Sequence, residues 1–152
     1  MIIMGIDPGP KESGVCIFDF AVNKVVYASV LNNLILLEEI DAIEEANMVD
    51  TTVIERVSCM GMAVGEEVFE TVFFTGRIFE LSTRNTTRIK RTEIKMHICN
   101  SMRAKDANIR QALIDRFGAQ GTKKNPGPLY GVSSHIWPAL AVAVTCYDKL
   151  TQ

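Results

Sequence analysis

The segment that most restricts this chain is "LILLEEIDAIEEA", with apolar residues at Leu34, Leu37, Ile40 and Ile43 and an acidic outer face. That spacing predicts an amphipathic helix, and it falls between two sets of strands. Ahead of it, "MIIMGID" (Met1 to Asp7), "VCIFDF" and "KVVYASV" read as short strands joined by "PGPKESG" and by a turn near Asn23. Residues 1–30 are therefore expected to form an antiparallel meander. Behind the helix, "TTVIERV" is brief and β-branched, a fourth strand. A strand reached through a helical crossover lies parallel to the one it returns to, so the sheet must be mixed.

The rest of the chain alternates in the same way. "SCMGMAVG" is a loop, and "EEVFETVFFTGRIFELSTR" returns to helical spacing, with Val68, Val72, Phe73, Gly76 and Phe79 on or near one face. "TTRIKR" is a short strand. "TEIKMHICNS" and "KDANIRQALIDRFG" are short helices, the second capped by Asp106 and closed by Gly118. The Gly/Pro-rich "AQGTKKNPGPLYGVSS" is a long loop of the kind often tied to function. The last helix runs from about Ser134 to Leu150. The order β-β-β-α-β-α-β-α-α-α is that of an α/β domain, and 152 residues suit one domain spanning 1–152.

Composition narrows the setting. No apolar run approaches the ~20 residues a membrane helix needs, because Glu38, Glu39, Asp41, Glu44 and Glu45 interrupt the richest candidate. No basic-then-apolar secretion signal opens the chain. Cys16, Cys59, Cys99 and Cys146 are far apart, and they are expected to be reduced core thiols of a cytoplasmic protein. Charge is divided unevenly. Residues 1–83 carry 4 Lys/Arg against 14 Asp/Glu, whereas residues 84–124 carry 11 against 3. The basic segment either contacts a polyanion or forms a solvated face paired with the acidic half.

Two acids stand in expensive places. Asp7 ends the first strand, and Glu55 lies in "VIERV" between residues that belong in a core. A buried carboxylate requires a partner or a cation. For Glu55 the local partners are Arg56 or Arg77, and Asp7 is alternatively an Asp-Pro-Gly turn former. A third polar group, His135, stands one turn before the apolar "PALAVAV" of the last helix. Pro138 lacks an N–H and is harmless only in a first turn, so the helix begins near Ser134 or His135. His135 then sits at the helix mouth, facing the end of the sheet that carries Asp7. Trp137 is expected to be a core anchor.

Taken together, "GIDPGPKESGVCIFD", "VIERV" and "HIWPALAVAVT" resemble the RuvC-type Holliday-junction resolvases of the ribonuclease H-like superfamily, and within them the phage-borne RuvC-like endonucleases. The resemblance covers nearly the whole chain in element order. It implies a ribonuclease H-like mixed sheet, a three-strand antiparallel meander plus parallel strands, with helices on both faces. It also implies a magnesium-dependent endonuclease that cuts branched or four-way DNA by two-metal phosphodiester hydrolysis, with manganese as substitute, acting as a homodimer in the cytoplasm, the host's if the protein is phage-encoded. Asp7 and Glu55 match the first two metal ligands of the family. On the last helix the family places an acid or histidine and, three residues on, an aspartate before Ala-Leu-Ala; here these are His135 and Pro138. Asp7, Glu55 and His135 are thus the implied catalytic and metal-binding residues.

For DNA, Lys95 matches one phosphate-contacting lysine. A second maps near Lys105, with Asp106 at the aligned position; Arg103, Arg110, Lys123 and Lys124 are further candidates. The aromatic wedge after the fourth strand is replaced by Ser58, with Met60 and Met62 nearby. The helix from Glu66 matches the dimer element, where Phe69, Phe73 and Phe74 serve either an interface or the core. Two other readings stand beside the nuclease: a junction-binding protein with a weakened site, and a phosphate-binding ATPase or sugar-kinase-like fold. The last needs a second lobe that 152 residues do not supply.

Overall fold

The computed structural model describes residues 1–59 and 61–152. Five strands and five helices follow the expected order: β1 (Ile2–Asp7), β2 (Glu12–Asp19), β3 (Lys24–Asn32), α1 (Asn33–Ala46), β4 (Thr51–Arg56), α2 (Glu66–Leu81), β5 (Asn85–Lys90), α3 (Arg91–Cys99), α4 (Asp106–Phe117) and α5 (Ile136–Thr151). The strands form one sheet in the order β3-β2-β1-β4-β5. β1, β2 and β3 pair antiparallel, and β4 joins β1 in parallel, as does β5 with β4. The mixed sheet expected from the crossover is the sheet observed.

Alternation along the strands builds a core on each face. Ile3, Cys16, Phe18, Val53 and Ile89 pack with α3, α4 and α5. Met4, Ile6, Val15, Ile17 and Ile54 pack with α1 and α2 on the other face. By the same alternation Asp7 and Glu55 project on the α5 side, in line with Ile3 and Val53. α5 can lie directly on the sheet because β1 carries Gly5, where a Cβ would come 1.9 Å from the Ala139 carbonyl oxygen. Ala139 and Ala143 keep the facing helix surface equally small.

Several local expectations are corrected. The buried side of α2 is Thr71, Phe74, Thr75 and Ile78, while Phe69, Val72, Phe73 and Phe79 are exposed. The threonines go inward because their hydroxyls bond to helix carbonyls one turn back, Thr71 to Glu67 at 2.7 Å and Thr75 to Thr71 at 2.8 Å. On α1, Leu34 is exposed and Leu36 takes its place in the core. α4 is capped at Lys105, and Asp106 is its first helical residue. α5 begins at Ile136, with Ile136 and Trp137 donating to the carbonyls of Ser133 and Ser134. Only Cys16 and Cys146 are buried; Cys59 is exposed and Cys99 half-buried, all four free. Trp137 is buried, as expected of an anchor. No described helix is long and apolar enough to cross a membrane.

Candidate active site

The C-terminal ends of β1 and β4 are neighbours in parallel register, with Ile6 opposite Ile54. One step further places Asp7 beside Glu55. The loop after Asp7 is pinned from behind: Ser13 donates to the buried Asn33 at 2.8 Å, and Asn33 donates to the Gly9 carbonyl at 2.8 Å. The Asp-Pro-Gly segment is an irregular loop held by these side-chain bonds, and it leaves Asp7 at the sheet end.

His135 is delivered by a different device. It is the N-cap of α5, and Ser134 before it adopts a left-handed φ of 41°, a conformation uncommon outside glycine. The His135 backbone then settles against β2 at Gly14, where a Cβ would lie 2.1 Å from its carbonyl oxygen. Gly14 is itself the register partner of Asp7. Nδ1 of His135 stands 3.4 Å from Oδ2 of Asp7, and the ring is 62% exposed. The histidine is at the helix mouth facing Asp7, as Pro138 in the first turn requires.

Glu55 is 9% exposed and is held by Arg91, the first residue of α3. Nη1 donates to Oε1 at 3.0 Å and to Oε2 at 3.1 Å. Nη2 of the same guanidinium pairs with Asp106 of α4. The expected partners Arg56 and Arg77 are thus replaced by a residue 36 positions downstream. Arg91 is the cleft residue that local sequence reasoning misses. Its signal lies in the sheet register: Glu55 is opposite Ile89, and Arg91 follows Ile89 by two, on the same side.

Burial dominates the electrostatics of both acids. It raises Asp7 above the ordinary carboxylate range, against the opposing pull of His135 and Arg91. It raises Glu55 likewise, against Arg91 and with help from the charge of Asp7. Two adjacent carboxylates that bind protons too well are short of positive charge. Their hard oxygens suit a divalent cation such as magnesium, whereas the imidazole beside Asp7 suits manganese better. The three implied ligands do not close on one point, however. Among the described residues no group of three His, Cys, Asp or Glu is placed to hold a metal ion together. Arg91 takes both oxygens of Glu55, so an ion would have to share or displace it.

The surroundings form two clefts. One, of about 430 Å³, is lined by Asp7, Glu55, Arg91, Ser58 and Lys95, with Glu67 and Thr71 of α2 opposite. The other, of about 520 Å³, is lined by His135, Asp106, Arg110, Gln120 and Trp137. Lys95 therefore lies beside Asp7 and Glu55, and Arg110 beside His135 and Asp106, its guanidinium 5.1 Å above the Trp137 ring. Arg103 and Lys105 sit outside both clefts in the approach to α4, and Lys123 and Lys124 occupy the tip of the loop closed by the Gly121–Pro126 bridge. Ser58 offers no wedge, Met62 is exposed, and Met60 lies outside the described residues.

No protein-family model matches this chain, and no curated protein matches it. Solved structures do. Thermus thermophilus RuvC superimposes with a TM-score of 0.75 at 14% identity, over 99% of this chain and 97% of that one. The same protein in complex with a Holliday junction substrate gives 0.76 at 16%, over 99% and 96%. At such identities the likeness is one of fold: the chain shares the ribonuclease H-like α/β fold seen in RuvC, with its mixed five-stranded sheet.

Proposed function

We propose that this protein is a metal-dependent endonuclease that cuts branched DNA, four-way junctions first among them, by phosphodiester hydrolysis. The observation that carries the reading is the pairing of Asp7 and Glu55 at adjacent parallel strand ends, with His135 at 3.4 Å from Asp7. Asp7 and Glu55 would hold Mg2+, or Mn2+ in its place, and His135 would border it. The bound ion would polarise a phosphoryl oxygen and acidify a water.

The chain's own residues account for the rest. Lys95 lines the cleft of Asp7 and Glu55, Arg110 lines the neighbouring cleft of His135 and Asp106, and both would neutralise phosphates of a bound strand. His135 presents an exposed ring nitrogen able to take a proton from water or pass one to the leaving oxygen. Arg103, Lys105, Lys123 and Lys124 extend the basic surface toward the arms of a junction. The exposed face of α2, with Phe69, Val72 and Phe73, is an apolar patch suited to a second copy of the chain. A two-fold dimer would present two sites to two strands.

The test incubates end-labelled four-way junction, flap and linear duplex with wild type and Asp7→Asn, in magnesium and in manganese. Junction cleavage that disappears in Asp7→Asn supports the proposal. A second reading, a junction-binding protein with a weakened site, is favoured by Pro138 and by the hold of Arg91 on Glu55. Junction binding by wild type without cleavage in either metal would establish it instead.

A further inference from the structure

Asp106 and Arg110 stand four residues apart on α4, the spacing at which an acid and a base on one helix pair. Here they do not. Asp106 is turned to Arg91, and among the described residues the Arg110 side chain forms neither an ion pair nor a hydrogen bond. Its guanidinium lies over the ring of Trp137 instead, 5.1 Å from the centroid. Trp137 is part of the core under α5, so the exposed arginine rests on a fixed support. A guanidinium is planar and delocalised, and its side away from the indole is a second stacking surface.

The cleft that Arg110 lines has the other parts of a nucleobase site. At about 520 Å³ it falls in the range of small-molecule pockets and is too small for a duplex. Gln120, Ser133 and Ser134 also line it. The Gln120 side chain is fixed by its bond to the Val132 carbonyl, and both serines are exposed, with no side-chain hydrogen bond among the described residues. Such groups can meet the donors and acceptors on the edge of a base. His135 lines the same cleft, and its ring stands 3.4 Å from Asp7. A base held here therefore belongs to a nucleotide near the phosphate at Asp7. It enters only after leaving its stack and its partner, which costs least where pairing is already broken.

We propose that this cleft receives one unpaired nucleobase of a branched DNA, stacked on Arg110 where that side chain lies over Trp137. The claim rests on the branched-DNA reading and deepens it. Selection of a branch point lies in a base pocket beside the acids rather than in the acids themselves. The charge of Arg110 still serves phosphates, and the plane of its guanidinium serves the base.

The experiment is a double-mutant cycle between protein and DNA. Binding to a four-way junction is measured in EDTA, so that no cleavage intervenes. An abasic residue replaces in turn each nucleotide flanking the branch point. At one of them, loss of the base is expected to weaken wild type by about tenfold, the value of one stacked base. Arg110→Lys keeps the charge and lacks the plane. It is expected to bind the intact junction about tenfold more weakly than wild type and to be indifferent to the missing base. Linear duplex offers no unpaired base, and both proteins are expected to bind it within about twofold of each other. Circular dichroism confirms that the variant is folded. Equal junction affinities of wild type and Arg110→Lys would make Arg110 a phosphate contact alone and overturn the inference. Losses that simply add in the cycle, or a loss on duplex as large as on the junction, would overturn it too. Each of these results leaves the nuclease reading intact, whereas wild type that neither binds nor cuts the junction overturns both.

Discussion

The helices α3, α4 and α5 each have one end in the cleft and the other in a second charged cluster. At the cleft end are Arg91, Asp106 and His135; at the far end are His97, Arg116 and Asp148. Asp148 is held by Arg116 through two bonds of 2.7 Å and by Nε2 of His97 at 2.7 Å. There one carboxylate meets two basic groups, at helix C-termini where basic side chains are favoured. Although burial pulls Asp148 upward, Arg116 and His97 bring it below the ordinary range. In the cleft the acids outnumber the arginine, and burial leaves Asp7 and Glu55 above it. The same ingredients give opposite results. The far cluster is electrostatically closed, a clamp on three helix ends, while in the cleft burial outweighs the pull of the neighbouring positive charges.

If that contrast is one of function, the largest effect should be on cleavage. Asp7→Asn and Glu55→Gln are each expected to lower the initial rate on a four-way junction by about 10³-fold or more, as loss of a group made for the transition state does. Asp148→Asn should leave the rate within about twofold, being separate from the cleft. Equal losses from all three would erase the distinction. A smaller loss follows from the way the cleft is assembled. In Gly14→Ala the added methyl meets the His135 carbonyl carbon, which lies 2.6 Å from the Cβ position. His135 must then shift relative to Asp7, and a rate loss of up to about 10²-fold is expected, read with a saturating junction.

How much of this contrast the sequence carries depends on the range of the interaction. The placing of Asp7, Glu55 and His135 at one end of the sheet is legible only from their combination and the resemblance it carries. Taken singly, an acid ending or interrupting an apolar strand, or a polar ring opening a helix, has an ordinary structural reading. The sheet is legible because the stripe from Leu37 to Ile43 enforces a crossover. Arg91 is not, since nothing near it in sequence marks it among 11 basic residues of its segment. Its role appears only when β5 is set in register with β4. The rotation of α2 fails for a similar reason. Periodicity defines a helix, yet Phe73 and Phe74 compete for the same face, and the threonine hydroxyls decide. Asp106 looked like a cap because caps are local, whereas its actual partner lies 15 residues away.

The far cluster should reveal itself in stability. Asp148→Asn is expected to cost about 1–2 kcal/mol, the value of charge-assisted bonds discounted for the exposure of Arg116, or a fall of about 2–6 °C in the melting midpoint. The sign with pH follows from a lowered folded value. The stabilisation by Asp148 is present above its ordinary 3.8 and is lost as pH falls through the depressed value. Thermal melts of variant and wild type should therefore differ at neutral pH and converge in acid. A gap that persists at low pH would mean that packing of the asparagine, not charge, is at fault.

The smallest effect runs the other way. The folded value of Asp7 is raised, so its favourable contribution is full below its ordinary 3.8 and is lost as pH rises through the elevated value. At neutral pH the ionised, half-buried Asp7 is a burden on the metal-free protein. Asp7→Asn should then stabilise it by about 1 kcal/mol, or about 2–4 °C, with the advantage shrinking as pH is lowered. Manganese should reverse the order. An ion that binds only the folded state raises the melting midpoint in proportion to its saturation, and wild type gains this while Asp7→Asn does not. Melts of both proteins, with and without Mn2+ and at several pH values, thus test a single idea: the cleft keeps an unpaid charge that a metal settles. If Asp7→Asn instead melts lower than wild type without metal, Asp7 belongs with Asp148 as a structural acid.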